Sequence, residues 1–247
     1  MKYLLTDPET HIDFGFGVLA SDFYQTADFL WNSNENKLTK GTLPNLYLYR
    51  HSIELYLKSL IIIIHKKMEL NYKGGKVPFD SKEAYVKYIE GNNEVKWKKL
   101  TNSHFISTLY NYFEELIIEH EDDLRRKASQ EMSKIINPHN KKIINHIKEY
   151  DDKSTFFRYV DLSDRKNEEK ESEKKYNKRI ALEDFEPDLE KPTKALLVVD
   201  DNADEVLEVH QSTKEIPLKD LGQDLRNLAD YLSGIHAMFR TCLCDGF

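Results

Sequence analysis

From Leu43 to Ile64 the chain is almost wholly apolar, yet Arg50, Glu54 and Lys58 stand inside that run at intervals of four residues. On a helix this spacing sets three ions along one stripe. Around them Leu46, Leu48, Ile53, Leu55, Leu57, Leu60 and Ile62 leave almost no face for water, so the helix is expected to be buried on nearly every side. Charges in such a place are costly unless partnered, so other parts of the fold must meet them. Two readings follow. Glu54 bridges both cations and organises the fold, or Arg50 and Lys58 leave net positive charge in a cleft that accepts a phosphate or carboxylate.

A chain of 247 residues can bury a full core, and one domain with an insertion is favoured over two. Charged residues make up 32% of it and the formal net charge is −7, which opposes general nucleic-acid binding but leaves room for a local basic groove. Met1-Lys-Tyr-Leu-Leu turns polar at Thr6, so no secretory leader is expected. The longest apolar run, Ser59 to Ile64, is too short to cross a bilayer. Cys242 and Cys244 are two apart, a spacing that makes no metal knuckle, and are expected to be reduced thiols of a cytoplasmic protein.

Periodicity predicts a first helix over 17–32, with Leu19, Phe23, Ala27 and Leu30 inward and Ala20, Tyr24 and Trp31 as its shoulder. A second helix starts near Thr42 and Pro44 and runs to about Leu70. After a loop at Gly74-Gly75 and Pro78 comes a short amphipathic piece around Glu83–Ile89. The third helix, His104 to His120, has Ser103 as its candidate cap, and Glu119 to Lys127 reads as a charged continuation. Asn137-Pro138 predicts a capped helix over 138–150, and Leu218 to Cys244 is a long last helix. Ser154 to Val160 reads as a short extended, aromatic segment. Asp161 to Glu190 is nearly pure mixed charge, expected as a solvated loop or frayed helix. Ala195-Leu-Leu-Val-Val and Val206-Leu-Glu-Val-His flank an acidic turn and predict a β-hairpin. The expected fold is therefore mainly α: a bundle of four to five helices, one domain over 1–247, with a charged loop and small hairpin inserted over 161–216.

Four of these segments, in this order, resemble the HEPN family of helical nucleotide-binding and ribonuclease domains. Leu48-Tyr-Arg-His-Ser-Ile-Glu-Leu-Tyr-Leu-Lys58 is similar to its early Tyr-Arg-His-Ala-x-Glu-Leu-x-Leu-Lys helix. His104 with Leu109 is similar to its His-Asp-Leu-x-x-Leu element, Phe157-Arg-Tyr159 with Asp161 to its Phe-Arg-Tyr-Pro-x-Asp segment, and Leu225-Arg-Asn-Leu228 to its last helix. The resemblance spans about 17–240 without the charged loop, and its first element is the specific one. Phe105 and Val160 stand where the family has aspartate and proline. The resemblance implies a HEPN-like bundle, commonly a homodimer, in bacterial conflict systems such as phage defence or toxin–antitoxin. It also brings His104 and Arg158 towards Arg50, Glu54 and Lys58 as a pocket for RNA or a nucleotide. Tyr159, like Tyr49, would stack on a base or fill the core.

The family's ribonuclease signature, an arginine followed after four to six residues by a histidine, is absent: no arginine here has a histidine at that spacing after it. Arg226 is followed at the corresponding place by Tyr231, and His236 lies ten residues on, ~15 Å along a helix. A metal-independent endoribonuclease therefore stands as the alternative function, with Arg226 and His236 from two protomers, or Arg158 and His104, as candidate catalytic pairs. A third possibility is an operon-encoded protein partner docking on the charged loop and hairpin. No cofactor, membrane contact or metal is expected. His139 and His146 share a face with no carboxylate between them at ligand spacing, and Asp200, Asn202 and Asp204 lack the glycine and final ligand of a calcium loop.

Overall fold

The structure, a computed structural model, describes residues 11–32, 43–70, 84–91, 94–128, 135–152, 177–184, 195–200, 205–212 and 218–244. Contacts divide the chain into two compact units, residues 1–159 with 218–247, and residues 160–217. The larger is a helical bundle built from α1 (Phe16–Asn32), α2 (Leu43–Lys67), α3 (Ile106–Glu119), α4 (Glu121–Ala128), α5 (Pro138–Asp151) and α6 (Leu218–Leu243), with a hairpin of β1 (Tyr85–Glu90) and β2 (Glu94–Lys99).

Helix α2 is its axis. It packs against α1, α3 and α6, while α5 lies on α3 and α6. Between Tyr49 and His65 every residue but His51 is buried, as its unbroken apolar pattern requires. Leu221, Leu225, Leu228, Leu232 and Phe239 of α6 are fully buried and close the core from the other side. Among the described residues no helix is long and apolar enough to cross a membrane.

Helix α1 turns a different face inward from the one its largest side chains suggest. Ala20, Ala27 and Trp31 are buried, whereas Leu19 is half exposed. Small residues win there because α1 lies close on α2: Asn45 Nδ2 reaches the Ala27 carbonyl at 2.8 Å. The helix starts at a tight turn in which Phe14 and Gly15 have positive φ, 57° and 80°. Asp13 caps it by accepting from the backbone N–H of Gly17 at 2.8 Å and of Gly15 at 3.2 Å.

The short amphipathic piece expected here contains the strand β1, Tyr85–Glu90. Val86, Tyr88, Val95 and Trp97 fit the pleat, Gly91 turns the chain with φ 33°, and β1 and β2 pair antiparallel with Ile89 opposite Val95. The charged continuation after α3 is a separate helix, because the chain breaks at His120 (φ −113°, ψ 21°) before α4 begins. Six α-helices, one more than the upper expectation, thus stand among the described residues. Asn137 caps α5 as expected, its side chain accepting from His139 N at 2.9 Å with Pro138 following.

In the smaller unit the hairpin expected over 195–210 is present as β4 (Ala195–Asp200) and β5 (Glu205–Ser212). It gains a third strand, β3 (Asn177–Ile180), taken from the charged stretch, and the order is β3-β5-β4, all antiparallel. The pairing of β4 with β5 shifts register at Val198/Val199. The aromatic segment 154–160 and the rest of the charged stretch, apart from 177–184, lie outside the described residues.

Two glycines of α6 test this packing. A Cβ on Gly222 would sit 2.8 Å from the Trp31 ring and 2.9 Å from Leu46 Cδ2, whereas one on Gly234 meets nothing within 4 Å. Gly222→Ala should lower stability by about 1–3 kcal/mol, while Gly234→Ala should raise it by up to about 1 kcal/mol; urea unfolding of both variants measures the contrast.

Candidate functional site

The stripe on α2 is met by parts of the chain distant in sequence. Glu54, 1% exposed, accepts from Arg50 Nη1 on one oxygen and from Lys58 Nζ at 2.8 Å on the other. The guanidinium of Arg50 also donates from Nη2 to the His104 carbonyl at 2.5 Å and to the Asp152 carbonyl at 3.0 Å. Its Nε lies 3.8 Å from Asp151 Oδ2 and has no hydrogen-bond partner among the described residues. Lys58 additionally stands 5.9 Å from the centre of the Phe16 ring. Arg50, Glu54 and Lys58 are all buried, with two carboxylates facing two cations.

His104 completes the cluster. Its Nδ1 is 3.0 Å from Glu54 Oε1, and its side chain is 44% exposed where those of Arg50 and Lys58 are 0% and 3%. An ionised carboxylate only accepts, so Nδ1 carries the proton, and in the neutral ring Nε2 is the lone-pair nitrogen. Burial opposes ionisation of Glu54, but Lys58 and Arg50, with hydrogen bonds from Lys58 and His104, pull its carboxyl down to about 2.

Asp152 ties the cluster to α3. Phe105 occupies the N-cap position without a capping hydrogen bond, and Ser103, the expected cap, is not that residue. Asp152 serves in its place from the end of α5: its carboxylate accepts from Ser107 N at 2.9 Å and Ser107 Oγ at 2.7 Å, and its carbonyl from Ile106 N at 3.3 Å. One short segment, 151–152, thus meets both the guanidinium and the first turn of α3.

A second buried carboxylate was not foreseen. Asp13, fully buried, accepts from Ser59 Oγ at 2.6 Å besides its two backbone partners, with His236 Nε2 at 3.5 Å and Arg240 Nη1 at 3.8 Å. Burial would raise its pKa; the nearby His236, with the hydrogen bonds from Ser59 and Gly17 N, holds it well below the usual carboxylate range instead. His65 is the converse case: burial pushes it down to about 3 and keeps it neutral, 2.7 Å from the Tyr112 hydroxyl.

Arg226 and His236 do not meet within the chain. Arg226 Nε donates to Asp28 at 2.7 Å near Trp31 and Tyr49, while His236 belongs to the Asp13 cluster. His146 pairs with Asp224 at 2.7 Å as a contact between α5 and α6. Arg158 and Tyr159 lie outside the described residues. Tyr49 is core. Among the described residues no group of three or more His, Cys, Asp or Glu stands ready to hold a metal ion. Comparison with protein-family models, with curated proteins and with solved structures returned no match.

The depressed carboxyl of Glu54 ties stability to pH. A folded-state pKa of about 2 against the ordinary value of 4.5 adds stability that is complete above the unfolded value and lost as pH falls through about 2, of order 3 kcal/mol in all. Asp13 acts in the same direction. Urea unfolding from pH 6 towards acid should therefore show falling stability between about pH 5 and pH 2, and Glu54→Gln should flatten that slope while lowering the plateau.

Proposed function

We propose that this is a HEPN-like accessory or effector protein of a bacterial conflict system, cytoplasmic and acting as a homodimer, which binds RNA or a nucleotide at the His104 end of the α2 cluster. One observation carries the reading. Of the four side chains gathered there, three are buried and spent on one another, and the imidazole alone extends to solvent, held by a buried carboxylate. An oriented ring with a hydrogen-bonding nitrogen at the surface suits a ribose hydroxyl or a phosphate oxygen. The match of Leu48 to Lys58, His104 and Leu225 to Leu228 with the HEPN pattern supports the same family. Docking of an operon-encoded protein on the 160–217 unit would accompany this binding.

His104→Ala and Arg50→Met separate ligand contact from architecture. His104→Ala removes one hydrogen bond that Glu54 can forgo, so stability should fall by only about 1 kcal/mol, while binding of single-stranded RNA, followed by fluorescence anisotropy, is lost. Arg50→Met breaks the buried pair and should cost about 3–5 kcal/mol. A large stability loss in His104→Ala with RNA affinity unchanged would overturn the reading.

The hydrogen bond between Glu54 and His104 also favours a second reading, a metal-independent ribonuclease in which His104 acts as base towards a ribose 2′-hydroxyl. Incubation of the purified protein with RNA in EDTA should then yield fragments that His104→Ala does not. Intact RNA after prolonged incubation would eliminate this reading and leave binding standing.

A further inference from the structure

We infer that two copies of this chain meet at the outer edge of strand β4, the two β4 strands pairing antiparallel about a two-fold axis at Leu197. This rests on the homodimer of the reading above and names its contact. In the smaller unit the sheet order is β3-β5-β4, so among the described strands β4 is paired on one side only, with β5. Its sequence, Ala195-Leu-Leu-Val-Val-Asp200, is apolar at five consecutive positions, at odd and even places of the pleat alike, and holds no lysine, arginine or proline. The irregularity at Val198/Val199 does not interrupt that edge. Val198 stands opposite Glu208 and Val199 opposite Val206, so the extra residue, Leu207, falls in β5. The other edge of the sheet differs: β3 has Lys178 and Arg179 at successive positions, a charged border of the kind that discourages further pairing.

A second copy is the occupant that the sequence of this edge fits. An antiparallel pair about a two-fold axis sets each residue opposite the one equally far beyond the axis. With Leu197 on the axis the apolar run maps onto itself: Leu196 meets Val198 of the partner subunit, and Ala195 meets Val199 of the partner subunit. One place further out Lys194, which precedes the strand in sequence, falls opposite Asp200 of the partner subunit, and the symmetry repeats this pair at the other end. Asp200 gains from such a cation. Within the hairpin its register partner is Glu205, so two acids share one place in the ladder. The assembly also closes. Two sheets joined at β4 make one sheet of six strands, three from each copy, whose outer edges are both the cationic β3, so growth stops at the dimer.

Sedimentation velocity of the full chain over a wide range of concentration, with wild type, Asp200→Lys, Lys194→Asp and the double variant, tests this contact. Each single substitution sets like charges opposite one another at both ends of the strand pair and should weaken the dimer about tenfold or more. The double variant restores opposite charges and should return to within about threefold of wild type. Asp200→Lys is the more informative single substitution. It places a cation opposite Glu205, so it favours the hairpin while opposing the dimer, and a loss of association does not come from a loss of β4. Should Lys194→Asp fail to fold, Asp200→Lys and the double variant carry the contrast. A wild-type dimer that neither single substitution weakens would overturn the β4 contact and leave the homodimer standing. Weakening that the double variant does not recover would overturn the contact as well. Wild type sedimenting as a monomer at every concentration overturns both the contact and the homodimer.

Discussion

The carboxylate of Glu54 sits in the middle of the most buried helix of the protein, and the placement of several other elements follows from the way its charge is met. Lys58 answers one oxygen and Arg50 the other. A lysine at position 50 would satisfy Glu54 and little else. The guanidinium is a planar fork with five donors, and here that fork extends past Glu54 to the carbonyls of His104 and Asp152. Those carbonyls lie just before α3 and just after α5. One side chain therefore fixes where two helices meet a third, which van der Waals packing alone specifies poorly.

Asp13 works by a similar rule with different partners. It caps α1, accepts a hydroxyl from Ser59 of α2 and faces His236 and Arg240 of α6, so three helices converge on one carboxylate. Ser59 follows Lys58 directly, about 100° round the helix. Two neighbouring residues of α2 thus serve separate polar centres. Gly17 is bound to this arrangement, since a Cβ there would fall 2.1 Å from His236 Nε2. The close approach of α1 and α6 depends on that missing methyl. Gly222 serves the same end near Trp31, which explains why glycine is tolerated inside α6 despite its helix cost.

The intrahelical half of the site was legible in the residues, and the tertiary half was not. Spacing of four along an apolar helix is a local property, and it places Arg50, Glu54 and Lys58 together before any fold is known. Asp151 and Asp152 are some hundred residues away from Arg50 and carry no local mark, since acidic residues at a helix end usually face water. The Asn137 cap and the 195–210 hairpin were legible for the same reason that the stripe was: each is encoded within a few neighbouring residues. Of the face expected inward on α1, Ala27 is fully buried but Leu19 is half exposed, and Ala20 of the expected shoulder is buried instead, because closeness of approach outweighed side-chain size. The hairpin of β1 and β2 was hidden by its lysines, although Gly91 and the alternation of Val86, Tyr88, Val95 and Trp97 carried its signal.

Charge balance limits how far this cluster could attract a charged molecule. Arg50 and Lys58 read in isolation make a cationic pocket, but Glu54 and the nearby Asp151 offset them inside the core. Such a cluster exerts little field beyond its own surface. An anion that came to His104 would consequently be attracted by charges outside the cluster, the buried ions serving only to hold the imidazole in one orientation. This division separates affinity from geometry. Removing an exposed lysine weakens long-range attraction and its salt dependence, whereas disturbing Glu54 turns the ring away and lowers stability with it. Were binding charge and orienting charge the same residues, a substitution would remove both together; Arg50 and Lys58 are buried, and so in any binding at His104 they would serve orientation alone.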